Sequence, residues 1–134
     1  MFLDTGIFIA FLDRSDGYHH AAVALFSHPP RRWYSSFGVV AEAYGWFLHR
    51  LGEDAARTFR LSLEAFPKLE ILALDSVHHT AVVRKLDRLR GYKLTYVDAS
   101  SLVFLEARQI RVVWGTDRHL ALEGAAVVPA SSTV

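Results

Sequence analysis

Four of the 14 acidic residues in this 134-residue sequence stand where chemistry could gather. Asp4 ends the apolar run Met1-Phe2-Leu3 and precedes a helix-like pattern of Ile7, Ile9, Ala10, Phe11 and Leu12. Glu42 is the one charge between Phe37 and Leu48, amid Val39, Val40, Ala43, Trp46 and Phe47. Asp98 precedes the apolar stretch Ala99 to Ala107, and Asp117 follows Val112-Val113-Trp114. Taken singly, Asp4, Asp98 and Asp117 read as helix N-caps, each contributing ~1 kcal/mol. Glu42 alone could be an exposed residue of an amphipathic helix. Yet its helical neighbours three and four positions away are Val39, Gly38, Gly45 and Trp46, with no Lys or Arg to pair with. A lone Glu there is expensive unless a metal or hydrogen bonds satisfy it. Four carboxylates drawn into one pocket repel and raise one another's pKa values, and cations relieve that repulsion. Oxygen donors without His or Cys call for a hard ion, Mg2+ or Mn2+.

Convergence requires a particular frame. Residues 1–4 read as a strand buried on both faces, the signature of a parallel sheet. Helices are expected from Thr5 to about Asp13, from His19 to Phe26, from a Ser35 or Ser36 cap to Leu51, and from Glu53 to Phe66. A short strand fits Arg32 to Ser35, and another Leu69 to Leu74. Asp75 or Ser76 caps a helix over 77–89, Asp98 caps one over 99–108, and Asp117 opens a short turn or helix. Strands at 111–114 and 126–128 complete the pattern. Alternation of this kind predicts a three-layer α/β/α sandwich around a short, mostly parallel sheet. In such a sheet the strand ends and the starts of the following helices share one edge, where ligands bind.

Composition narrows the alternatives. With 51% hydrophobic and 13% aromatic residues the chain can bury a proper core, and its length suits one domain over 1–134. A net charge of +1 supplies no strong general field for nucleic acid, so any such binding must come from a local patch. The absence of cysteine excludes disulfides, thiolate metal sites and Cys nucleophiles, and suits a reducing cytoplasm. Asp4 interrupts the apolar start, unlike a secretory signal, and no stretch approaches the ~18 apolar residues of a membrane span.

The four acids and their surroundings resemble a PIN domain, in particular the toxin ribonuclease of VapBC-type toxin–antitoxin modules. Leu3-Asp4-Thr5-Gly6-Ile7-Phe8-Ile9-Ala10 is similar to the first motif of that family, and Asp16-Gly17-Tyr18-His19-His20-Ala21-Ala22 to its second-helix start. Val40-Ala41-Glu42, Leu94-Thr95-Tyr96-Val97-Asp98-Ala99 and Gly115-Thr116-Asp117-Arg118-His119-Leu120 are similar to the stretches bearing its other acids. The family often has Thr where Gly115 stands and Phe where Leu120 stands; both departures leave the carboxylate of Asp117 in place. The resemblance implies a PIN-like sandwich and Mg2+- or Mn2+-dependent cleavage of RNA phosphodiesters. It makes Asp4, Glu42, Asp98 and Asp117 the catalytic set. Asp4 and Asp98 would hold the metal most directly, and Thr5, Thr116 and Arg118 would meet acids or the scissile phosphate. It further implies a cognate antitoxin, a homodimer and a cytoplasmic location. The rival reading keeps the fold as a non-catalytic RNA- or protein-binding module.

Other features have plainer explanations. Arg84, Lys85, Arg88, Arg90 and Lys93 make a basic run that suits a solvated helix face, or an RNA-tracking rim. Arg31-Arg32-Trp33-Tyr34 reads as a strand entry with core aromatics. The pairs His19-His20 and His78-His79 are poor chelators, because adjacent helical residues do not share a face. Phe8, Phe11, Trp46 and Phe47 are candidates for a dimer or antitoxin surface.

Overall fold

The computed structural model describes residues 1–130. Its centre is a two-residue strand, β1 (Phe2–Leu3), with both side chains fully buried. Around β1 run β2 (Trp33–Ser36), β3 (Leu69–Leu72), β4 (Val112–Gly115) and β5 (Ala126–Pro129). The sheet order is β3-β2-β1-β4-β5. Every pairing is parallel, with Phe2 opposite Tyr34 on one side and Val113 on the other. The connections are helical. Among the described residues these are α1 (Thr5–Leu12), α2 (His19–Phe26), α3 (Phe37–Leu51), α4 (Glu53–Ala65), α5 (Ser76–Arg88) and α6 (Tyr96–Arg108), with a 3-10 turn at Arg118–Ala121.

Successive strand residues point to opposite faces, and the aromatic contacts show what covers each. Phe2 stacks on Phe104 of α6, with ring centroids 6.3 Å apart. Trp114, the register partner of Leu3, meets Phe26 of α2 at 5.3 Å and Trp33 at 6.0 Å. Phe66 stacks on Phe26 at 5.0 Å, just past α4. Helices therefore cover both faces, as the alternation of elements predicts. The chain runs outward from β1 to β3, then crosses back over the centre to β4. β1 is thus the point where the winding reverses, and the crevice outside its carboxyl end is the favoured ligand position of such a sheet.

Side-chain caps explain three of the six α-helix starts among the described residues. Ser36 caps α3 by accepting from the Val39 N–H at 3.1 Å, and Asp75 caps α5 by accepting from the His78 N–H at 2.8 Å. The start of α6 differs from expectation. Its cap is Thr95, three residues before the expected cap, and Asp98 lies inside the first turn as the return arm of a capping box.

The candidate protein-contact surface also needs correction. Phe8 and Phe47 are wholly buried in the core, while Phe11 and Trp46 are half-buried against it. In the basic run Lys85 is buried, its ammonium bonded to Glu106 and, at 2.6 Å, to Glu123; Arg88 pairs with Glu123 as well. Two of the five cations are thus tied to the fold, while Arg84, Arg90 and Lys93 are exposed. Among the described residues no helix is long and apolar enough to cross a membrane.

Candidate active site

The strand ends bring the predicted acids together at the reversal point. Asp4 is the first residue beyond β1, and its N–H donates to the Trp114 carbonyl at 2.9 Å, anchoring it beside β4. Its side chain makes no capping bond to α1, and Oδ1 is buried without a hydrogen-bond partner. The expected side-chain cap of α1 is therefore not formed: the carboxylate lies 3% exposed, with the Thr5 N–H beside it and Oδ1 unserved. Burial pushes its pKa up from 3.8 to about 7. The charges of Asp98, Glu42 and Asp117 add to the rise, and the Thr5 backbone N–H opposes it.

Close backbone approach makes room for this packing. A Cβ on Gly115 would lie 3.2 Å from the Asp4 Cβ, and one on Gly6 would lie 2.0 Å from the Thr116 hydroxyl. The glycine that replaces the familiar Thr at 115 thus leaves space for the Asp4 side chain.

Asp98 is also buried. Its Oδ2 accepts from the Thr95 N–H at 3.2 Å, and its own N–H donates to the Thr95 hydroxyl at 3.1 Å. Burial raises its pKa against the Thr95 hydrogen bonds, and the charges of Asp117 and Glu42 act in the same direction as burial. Asp117 caps the 3-10 turn, its Oδ1 accepting from the His119 N–H at 2.9 Å. Arg118 lies exposed beside it, and Thr116 is half-buried.

Glu42 joins the group through Thr5, one of the residues expected to meet an acid or the phosphate. It is exposed and is not stranded in an apolar surround. Its Oε1 accepts from the Thr5 hydroxyl at 2.6 Å, so Thr5 holds a carboxylate in place. Exposure and this hydrogen bond satisfy Glu42 without a metal. Among the four acids the buried oxygen left unserved is Asp4 Oδ1.

One further group joins the site. One ligand atom each from Asp98, Asp117 and His119 lie within 4.8 Å of one another. His119 Nδ1 is 3.3 Å from Asp117 Oδ1 and 3.8 Å from Asp98 Oδ2. In the sequence His119 reads as a phosphate contact beside Asp117, and nothing there marks it as a possible ligand. The donor set is carboxylate oxygen and imidazole nitrogen around an unserved buried carboxylate. That fits a divalent cation, with Asp4, Asp98, Asp117 and His119 as available donors.

The other histidines have separate partners. His78 Nε2 lies 2.7 Å from the Ser100 hydroxyl, His79 Nδ1 2.8 Å from the Tyr96 hydroxyl, and His19 Nδ1 2.8 Å from the Ala10 carbonyl oxygen. A 340 Å³ cavity bordered by Leu102, Ile110 and Leu120 includes none of the four acids.

The sequence matches the PIN domain model over residues 1–123, and the chain belongs to that family. In three dimensions it is similar to VapC20 of Mycobacterium tuberculosis, described as a Sarcin-Ricin loop cleaving toxin. The likeness covers 93% of this chain and 95% of that one, with a TM-score of 0.85 at 19% identity, and it is one of fold. No curated protein matches the sequence significantly.

Proposed function

We propose that this PIN domain is a metal-dependent endoribonuclease, the toxin of a type II toxin–antitoxin pair, with residues 1–134 as one domain. The observation that carries the reading is the buried, unserved carboxylate of Asp4 amid the charges of Asp98, Glu42 and Asp117. Such crowding costs folding energy that an all-neutral core would avoid. A site that binds a cation accounts for it.

In this reading Asp4 and Asp98 hold Mg2+ or Mn2+, and Glu42 and Asp117 complete the surround. The bound ion supplies activation of water and neutralisation of phosphate charge. Thr5 fixes the Glu42 carboxylate through its 2.6 Å hydrogen bond. Thr116 and Arg118, flanking Asp117, face the phosphate. Water attacks phosphorus opposite the 3′ oxygen, one carboxylate of the set takes the water proton, and the phosphorus–O3′ bond breaks with O3′ taking a proton from solvent. The products carry a 5′-phosphate and a 3′-hydroxyl. RNA as substrate, a cognate antitoxin, a homodimer and a cytoplasmic setting draw support from family membership and from the likeness to a toxin.

The test is cleavage of structured RNA by the purified protein with Mn2+ or Mg2+. Asp98→Asn is expected to lose activity by at least about a hundredfold while keeping the wild-type circular dichroism spectrum. Cutting that continues in excess chelator, or undiminished in Asp98→Asn, refutes the assignment. Metal binding without any cleavage would favour the binding-module reading.

A further inference from the structure

We propose that His119 is itself a ligand of the divalent cation, through Nδ1, and that this nitrogen makes the site prefer Mn2+ to Mg2+. The inference rests on the metal-dependent reading above and extends it to a residue outside the four acids. Its first support is geometric. The imidazole nitrogen is 3.3 Å from one carboxylate oxygen and 3.8 Å from the other. A charge-assisted N–H···O bond is shorter, about 2.7–2.9 Å. The ring is thus near two carboxylates and well bonded to neither. Donors around an octahedral cation at about 2.1 Å stand about 3.0 Å apart when adjacent and about 4.2 Å when opposite. The 3.3 Å separation is close to the adjacent value, and 3.8 Å lies between the two.

The second support is how the turn is held. The His119 backbone N–H donates to Asp117 Oδ1 at 2.9 Å, and Asp117 is the cap of the same turn. Backbone and side chain of one short turn therefore present an oxygen and a nitrogen to the same space. The third is the unpartnered oxygen of Asp4, buried within the field of Asp98 and Asp117. Carboxylates alone suit Mg2+, whereas imidazole contributes little to Mg2+ and more to transition ions. Ligation through Nδ1 leaves the ring proton on Nε2, on the side of a ring that is 42% exposed.

The experiment uses the whole protein loaded with Mn2+. Pulsed electron paramagnetic resonance reads nitrogen coupling to the ion, and titration with Mg2+ reads the preference between ions. Wild type is expected to show one imidazole coupling, absent in both His119→Ala and His119→Gln. The Mn2+ preference over Mg2+ should fall on the order of tenfold in both variants. Circular dichroism checks their fold; His119→Gln, with the ring gone and a polar side chain kept, serves if His119→Ala does not fold. Coupling that is absent from wild type, coupling that persists in the variants, or an unchanged ion preference overturns the proposal while leaving the carboxylate site standing. A wild type that binds no Mn2+ overturns both readings together.

Discussion

Removing the charge of Asp4 should stabilise the metal-free protein at neutral pH while destroying its site. An acid whose folded pKa is raised binds more protons folded than unfolded, so stability falls as pH rises from the unfolded to the folded value. For Asp4 that window runs from 3.8 to about 7. At 1.36 kcal/mol per pH unit the span corresponds to about 4 kcal/mol of stability present below the window and lost above it. Between pH 5 and pH 8 about two pH units of that window are crossed, and water entry and side-chain relaxation reduce the effect, so a difference of about 1–2.5 kcal/mol is expected. The assay is urea unfolding in chelator, at pH 5 and pH 8, on wild type and Asp4→Asn. Wild type should lose stability between the two pH values. Asp4→Asn should lose much less and should be the more stable protein at pH 8. Added Mn2+ should raise wild type at pH 8 and leave Asp4→Asn unmoved, since ligand binding stabilises only the state that binds. Equal pH dependence in the two proteins, or a less stable Asp4→Asn at pH 8, refutes the assignment of a strained carboxylate.

Three other perturbations bear on neighbouring parts of the structure. Thr5→Val removes the hydroxyl that holds Glu42; it should cost about 1 kcal/mol in urea unfolding and lower RNA cleavage about tenfold. Gly6→Ala puts a methyl group 2.0 Å from the Thr116 hydroxyl and 3.2 Å from its backbone nitrogen. Rotating the hydroxyl does not relieve the backbone contact, so a loss of about 1–3 kcal/mol in unfolding is expected, together with weaker Mn2+ affinity. Around Lys85, Glu123→Ala removes one of two carboxylates serving a buried ammonium. It should destabilise by more than Lys85→Met, which leaves behind carboxylates that water can reach, and neither change should alter Mn2+ affinity.

The frame of the molecule was open to reading from sequence because local signals agreed with the fold. Helix α2 occupies the expected His19–Phe26, and α3 and α5 start at Ser36 and Asp75 caps whose side chains make the expected bonds. Two-sided burial of Phe2 and Leu3 marked a central strand. The details that escaped are tertiary. Thr95 was passed over as a cap because Asp98, three residues later, also suits that role; the capping box uses both. Glu42 looked stranded because its rescuer, Thr5, is 37 residues away in sequence. Phe8 and Phe47 looked like surface candidates because a helix rich in aromatics shows no polar face by which to orient it. Lys85 sat in a run of cations whose individual directions only the partner helix α6 and Glu123 could set. His119 escaped for the same reason: its nearness to Asp98 spans two elements that meet only in the folded chain.

The position of β1 between β2 and β4 also bears on when the acidic site is assembled. Asp4 and Glu42 belong to the first half of the chain, whereas Asp98, Asp117 and the strand that anchors the Asp4 backbone belong to the last third. During translation the early acids emerge with one side of their strand still open. The site closes only when β4 has been made and has crossed back to pair with β1. A polypeptide that stops short of β4 therefore lacks both the anchor of Asp4 and Asp117, and its acidic site is incomplete.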